Sequence, residues 1–223
     1  MYPVVPIVLR AVSGLIAAAF GLFQPAPVGG PSSPMPPSIE VVLSEAPAFE
    51  APAVDVNAIT DVAQAAQVTL LALDRRDGSV GPARRRLAEL VGHTSTTDAA
   101  ALESVWSAAS DERQRAVFKG LAQVGVQYRR NGSSPGEGFD CSGLTSYAWA
   151  GSGVTLSHNS EAQIRAASSR VTAAPGDIVH YPGHIMLALG VDTLMVHAFT
   201  TGKPVAIQAW GTRRVRIGDP LSD

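Results

Sequence analysis

A single cysteine, Cys141, stands in the 223-residue chain, and its neighbours suit it to chemistry. In Gly138-Phe139-Asp140-Cys141-Ser142-Gly143-Leu144, a glycine-dense loop brings Asp140 to an N-cap position and Cys141 to the first turn of a helix. Unpaired backbone N–H groups and aligned peptide dipoles favour negative charge there. The thiolate, which is the attacking species of a cysteine nucleophile, is therefore expected to be favoured. The same N–H groups can hold the oxyanion that forms when a carbonyl carbon is attacked. A lone cysteine is more often a small buried hydrophobe, but Asp-Cys-Ser-Gly at a helix start is a poor place to hide a thiol. One cysteine also leaves too few thiolates for an intrachain disulfide or a cysteine-based zinc site.

A nucleophile needs a base, and the chain offers His93, His158, His180, His184 and His197. His93 falls at a helix end and is expected to face water. His184 begins a strand-like run after the tight turn Pro182-Gly183, and His197 lies near the end of the next run. If those runs are adjacent and antiparallel, His197 can sit beside His184 and hold its imidazole in the useful tautomer. His158 and His180 read as structural. A zinc site built from His180, His184 and His197 is disfavoured, because His180 and His184 straddle a turn and no acidic neighbour supplies outer support.

The elements that must position these groups follow from periodicity. Ile59, Val62, Ala63, Ala66, Leu70 and Leu73 recur at helical spacing, with Asp74-Arg75-Arg76-Asp77-Gly78 as a stop. Further helices are expected over about 82–91, 97–108, 111–124 and 141–150. Asp177–Tyr181, His184–Leu189, Thr193–Ala198 and Val205–Trp210 read as strands bounded by Gly, Pro or Asp. Helices first and strands later predict an α+β domain with an antiparallel sheet. Trp149 and Trp210 read as core residues.

With these residues in view, FDCSGL, followed by GHIMLALG and then VHA, resembles the NlpC/p60 family of cell-wall cysteine peptidases. The resemblance spans roughly residues 111–210. It implies a papain-like α+β fold, with Cys141 as nucleophile, His184 as base and His197 as the orienting residue. Gly125-Val126-Gln127-Tyr128 supplies the family's tyrosine, so Tyr128 is expected to line the site near the oxyanion, with Asp140 and Ser142 also at the oxyanion and substrate side. Pro175-Gly176-Asp177-Ile178-Val179 matches the family's Gly-Asp strand opening, and Leu156-Ser157-His158-Asn159-Ser160 with Gln163 resembles its Leu-Pro-Arg-x-Ser and Gln. Departures occur at Arg129-Arg130-Asn131-Gly132, where an aromatic and paired glycines are common, and at His158, His180 and Met186. They leave the catalytic groups in place and bear on the rim of the cleft.

Composition divides the rest of the chain. Ten of the sixteen prolines precede residue 58, in a stretch whose only charged residues are Arg10, Glu40, Glu45, Glu50 and Asp55. Residues 1–26 read as a signal peptide or an N-terminal membrane segment, since the apolar run after Arg10 is short for a bilayer span. Residues 27–56 read as a Pro/Ala-rich disordered linker. A small helical segment at 57–109 and an NlpC-type catalytic domain at 110–223 complete the expected organisation. A net charge of −2 gives no footprint for nucleic acid.

With the resemblance, these features imply a bacterial cysteine peptidase, secreted or envelope-associated and expected to act as a monomer. The resemblance further implies that it cuts peptidoglycan stem peptides between D-glutamate and the adjoining diamino acid, and no metal or organic cofactor is expected. A wall amidase or an acyltransferase on the same Cys–His pair, and a catalytically silent wall-binding module, are the alternatives. The segment at 57–109 could also cover the cleft.

Overall fold

The computed structural model describes residues 56–221. The expected signal or membrane segment and the linker up to residue 55 lie outside them, and Val56 already opens the first helix. The chain begins with four helices: α1 (Val56–Arg75), α2 (Val80–Ser95), α3 (Ala99–Ala108) and α4 (Asp111–Leu121). A two-stranded ribbon, β1 (Ser133–Ser134) and β2 (Gly138–Phe139), leads into α5 (Cys141–Ala150) and α6 (Ser160–Ala166). Six strands follow: β3 (Ser168–Arg170), β4 (Ile178–Tyr181), β5 (His184–Ala188), β6 (Leu194–His197), β7 (Ala206–Ala209) and β8 (Arg216–Asp219). They form one antiparallel sheet in the order β3-β8-β4-β5-β6-β7. This is the α+β arrangement read from the sequence.

Strand alternation gives the sheet two faces. One face carries Leu187 and Val196 into the main core, where Phe118 and Leu121 of α4 and Leu144, Ala148 and Trp149 of α5 meet them. The fit is close at Gly120, where a Cβ would come within 2.9 Å of the Leu187 side chain and 3.1 Å of Val196. The other face buries Val179, Met186, Ala188 and Met195 beneath Tyr181, Trp210, Val215 and Ile217. Trp149 is fully buried as a core residue, and its indole N–H donates to the Gly176 carbonyl at 3.0 Å.

The first three helices share the main core. Val62, Ala66 and Leu73 of α1, Leu87, Ala88 and Val91 of α2, and Leu102 and Trp106 of α3 belong to the same buried cluster as Ala116–Leu121. Trp106 packs edge-on to Phe118 with ring centroids 5.6 Å apart, and donates its indole N–H to the Leu189 carbonyl at 2.8 Å. The helical segment and the strands that follow it are thus one compact unit.

An ion cluster ties α4 to the far strands. Arg113 bonds the Asp177 carboxylate at 2.8 Å and the Asp219 carboxylate at 2.5 Å, and Arg170 also pairs with Asp219. Asp177 has no exposed side-chain surface. Burial pushes its carboxyl up, against the opposing pull of Arg113 and the Ala174 N–H.

Candidate active site

The position of Cys141 begins with Asp140. Its Oδ1 accepts from the Gly143 N–H at 2.7 Å, as an N-cap does, and from the Ser142 hydroxyl at 3.2 Å. Its Oδ2 accepts from the Asn131 N–H at 2.9 Å, which fastens the preceding loop to the helix start. His158 Nε2 lies 2.8 Å from the same carboxylate. Gly143 leaves space for this assembly: a Cβ there would collide with the Gly132 carbonyl oxygen and come within 2.9 Å of His158 Nε2. The Asp140 and Ser142 side chains are turned inward to the cap, so the group Ser142 presents beside the sulfur is its backbone N–H.

The second support of the helix start is Gln163, which is almost wholly buried. Its amide donates to the carbonyls of Ser142 at 2.9 Å and Ser157 at 2.7 Å, and its oxygen accepts from the Thr145 hydroxyl at 2.6 Å. One side chain from α6 therefore holds the first turn of α5 and the loop that carries His158.

Cys141 lies against the beginning of β5. It packs on Ile164, Ile178 and Ile185. Ile185 follows His184 on β5, so Cys141 sits beside the strand that carries the imidazole. Burial pushes the thiol up. The N–H groups of Ile185, Ser142 and Cys141 pull it the other way, and the Asp140 carboxylate adds to the rise. The thiolate preference expected from the helix start is thus outweighed by burial.

The two histidines come together across β5 and β6. These strands pair antiparallel, with Leu187 opposite Val196 and Ala188 opposite Met195, and His184 Nε2 stands 2.8 Å from His197 Nδ1. His197 Nε2 in turn stands 2.8 Å from Gln208 Oε1 on β7. Both imidazoles are buried. Tyr181 and Phe199 pack on the His184 ring at centroid separations of 5.2 and 5.5 Å, and Phe199 also stacks on His197. Burial lowers His184 to about 3, with His197, Arg213 and His180 adding to the effect. His197 is also lowered by burial, against the hydrogen bond to Gln208. Burial thus favours the uncharged forms of both groups, a thiol and a neutral imidazole rather than a standing ion pair.

Tyr128 is half-buried near Cys141, beside the ribbon. Burial raises its hydroxyl, and the Asp140 carboxylate and Cys141 add to the rise. It therefore keeps its proton and can donate to an oxyanion. Arg129 pairs with Glu137 at 3.0 Å on the exposed rim. Arg213 lies over the Tyr181 ring, 4.5 Å from its centroid.

The remaining histidines are accounted for. His93 is exposed in the last turn of α2. His180 is buried on β4 with Nε2 2.9 Å from Glu161 Oε1, yet the approach is badly aligned and neither ring nitrogen makes a hydrogen bond. Sequence reasoning passed over Gln208, Phe199 and Tyr181. Gln208 is the polar residue in the run Val205–Trp210, and its register opposite Met195 puts it on the face of His197. That pairing is the signal that identifies it.

Residues 125–215 match the family model described as NlpC/P60 family. A Mycobacterium tuberculosis protein named "Probable endopeptidase" is 36% identical over 104 residues, covering 44% of this chain and 26% of the relative. "Dipeptidyl-peptidase 6" of Lysinibacillus sphaericus is 34% identical over 100 residues, covering 44% of this chain and 36% of the relative. The chain thus spans well under half the length of these curated relatives. Among solved structures, a hypothetical invasion protein of Mycobacterium tuberculosis aligns at 26% identity and a TM-score of 0.45, covering 48% of this chain and 61% of that one.

Proposed function

We propose that this protein, whose residues 125–215 match the NlpC/P60 family model, is a cysteine peptidase that hydrolyses peptide bonds in peptidoglycan stem peptides, with Cys141 as nucleophile, His184 as base and His197 as its orienting partner. The observation that carries the reading is Cys141 at the capped start of α5, packed on Ile185 next to His184, together with the 2.8 Å approach of His184 to His197. Relatives named as an endopeptidase and a dipeptidyl-peptidase support the same reaction class.

The chemistry runs as follows. Nε2 of His184 is engaged by His197, so Nδ1 is the ring atom left to take the thiol proton as the sulfur attacks the substrate carbonyl. Because both groups rest uncharged, proton transfer accompanies attack. The oxyanion is held by backbone N–H groups at the start of α5 and by the Tyr128 hydroxyl; removing one such donor typically costs about 10²–10³-fold in rate. His184 returns the proton to the leaving amine, and water then hydrolyses the thioester. The bond proposed is that between D-glutamate and the diamino acid beside it. The apolar run before the proline-rich stretch supports delivery to the cell envelope.

The test is digestion of purified peptidoglycan by the full chain beside Cys141→Ala. New stem-peptide amines from the wild type alone support the endopeptidase. Release of whole stem peptides would point to an amidase, and intact wall with both proteins folded would end the peptidase reading.

A further inference from the structure

We infer that Gln208 is a positioning residue of this site: by accepting a hydrogen bond from His197 it sets the tautomers of both histidines, and so leaves the lone pair of His184 on Nδ1, the atom proposed to act on Cys141. The inference rests on the proposed roles of Cys141 and His184. It goes beyond them by adding a third side chain to the relay, on the outermost strand of the sheet.

The argument is a count of protons along a line. A neutral imidazole carries one N–H and one lone pair, and which nitrogen holds which is fixed by its partners. The carboxamide oxygen of Gln208 faces His197 Nε2 at 2.8 Å, and an oxygen can only accept. The His197 proton must then sit on Nε2, leaving its Nδ1 as an acceptor. His184 Nε2, 2.8 Å from that Nδ1, must be the donor. The proton of His184 is thereby assigned to Nε2, and Nδ1 keeps the lone pair that a general base needs. Turning the carboxamide over would present an N–H to His197 and reverse every bond in the line. His184 would then carry its proton on Nδ1 and could not receive another from the thiol.

Geometry explains why a side chain is needed for this task. Both imidazoles are buried and flanked by Phe199, so water has little room to arbitrate between tautomers. Among the described residues, Gln208 is the only side chain bonded to His197 Nε2. It stands on β7, at the end of the strand order, and is itself exposed. Its replacement therefore perturbs the relay with little damage to packing.

The experiment uses the full chain with ¹⁵N-labelled histidine, as wild type, Gln208→Glu and Gln208→Met. Two- and three-bond ¹H–¹⁵N correlations of the rings report the tautomer directly, whether or not a substrate is known. Both rings are expected as Nε2–H forms in the wild type. Gln208→Glu, which can only accept, should keep them so, and Gln208→Met should give a mixture. With wall peptides, Gln208→Met should lower kcat about tenfold, the size typical of a lost outer-shell partner, leaving KM unchanged. Gln208→Glu should recover the rate, with the acid limb of its pH profile displaced upward by the added carboxylate. An Nδ1–H form in the wild type, an unaltered ring pattern in Gln208→Met, or no recovery by Gln208→Glu would each overturn the inference. If wild type fails to cut wall peptides, the peptidase reading falls while the ring correlations still judge the proton relay.

Discussion

His158 Nε2 lies 2.8 Å from the Asp140 carboxylate, at the first turn of the helix that begins with Cys141. A histidine in a loop thus braces the cap on which Cys141 stands, and Asp140 serves four partners at once. Asp140→Ala removes the cap and frees the Asn131 and Gly143 N–H groups. It should cost about 1–2 kcal/mol of stability and most of the activity. His158→Ala removes one partner of four and should cost clearly less on both counts. Urea unfolding of the two variants, together with their rates, checks the ranking; equal losses would mean that the brace matters more than the cap.

Acidity should affect this site in an unusual range. His184 is lowered from 6.5 to about 3, and the Cys141 thiol is raised above its ordinary 9. The neutral base is therefore kept as pH falls through the usual histidine range, and the thiol keeps its proton as pH rises past neutrality. The kcat/KM profile should show a broad plateau, with its acid limb well below 6.5. Alkylation of Cys141 by iodoacetamide should be slow at pH 7 and rise on the alkaline side. An acid limb near 6.5 would show that the cleft is wetter than its burial implies. Since the folded chain holds His184 neutral, its contribution to stability is present above 6.5 and is lost as pH falls toward about 3.

The ion cluster behind the sheet carries a stability prediction. Arg113→Ala would leave the wholly buried Asp177 with the Ala174 N–H at 2.8 Å and, among cations, only a long contact to Arg170 at 3.6 Å. Breaking a buried pair in this way should cost about 3–5 kcal/mol. The double variant Arg113→Met with Asp177→Leu removes the orphaned charge and should recover a good part of the loss. Thermal melts of the three proteins decide the matter, and a double variant no better than Arg113→Ala would place the cost in packing.

The helices at 56–108 share a core with the strands that follow them. Trp106 and Phe118 share one core, and the Trp106 indole holds the Leu189 carbonyl at the end of β5. A fragment of residues 110–223 should therefore be poorly soluble and melt far below the full chain. Trp106→Ala alone should cost about 3–5 kcal/mol. Circular dichroism and light scattering of the fragment test this; a well-folded, more active fragment would restore the idea of a covering segment.

Much of the architecture could be read from residue patterns, and what escaped did so for physical reasons. The strands β4 to β7 were legible because His184–Ala188 and Leu194–His197 are apolar, buried runs with turn residues at their ends. β3 reads Ser-Ser-Arg and is fully exposed, so no apolar alternation marks it. β8 carries Gly218, whose missing side chain makes room for Ala167 and Ile164, and that contact exists only once the sheet has formed. At the site, Cys141, His184 and His197 were visible from residue type and spacing. Gln208 and Phe199 were not, because their meaning depends on register across β6 and β7 and on the loop between them.

The position of β8 also sets an order of events in the life of the molecule. This strand comes last in sequence among the described elements, yet it lies between β3 and β4, and its Asp219 completes the cluster on Arg113. As the chain is synthesised, Cys141, His184 and His197 are all delivered before the strand that joins β3 to the rest of the sheet. Until β8 docks, β4 has an open flank and the Arg113 guanidinium lacks one of its carboxylates. Synthesis therefore presents every proposed catalytic side chain before the sheet around them is complete, and the strand that closes the sheet bears none of them.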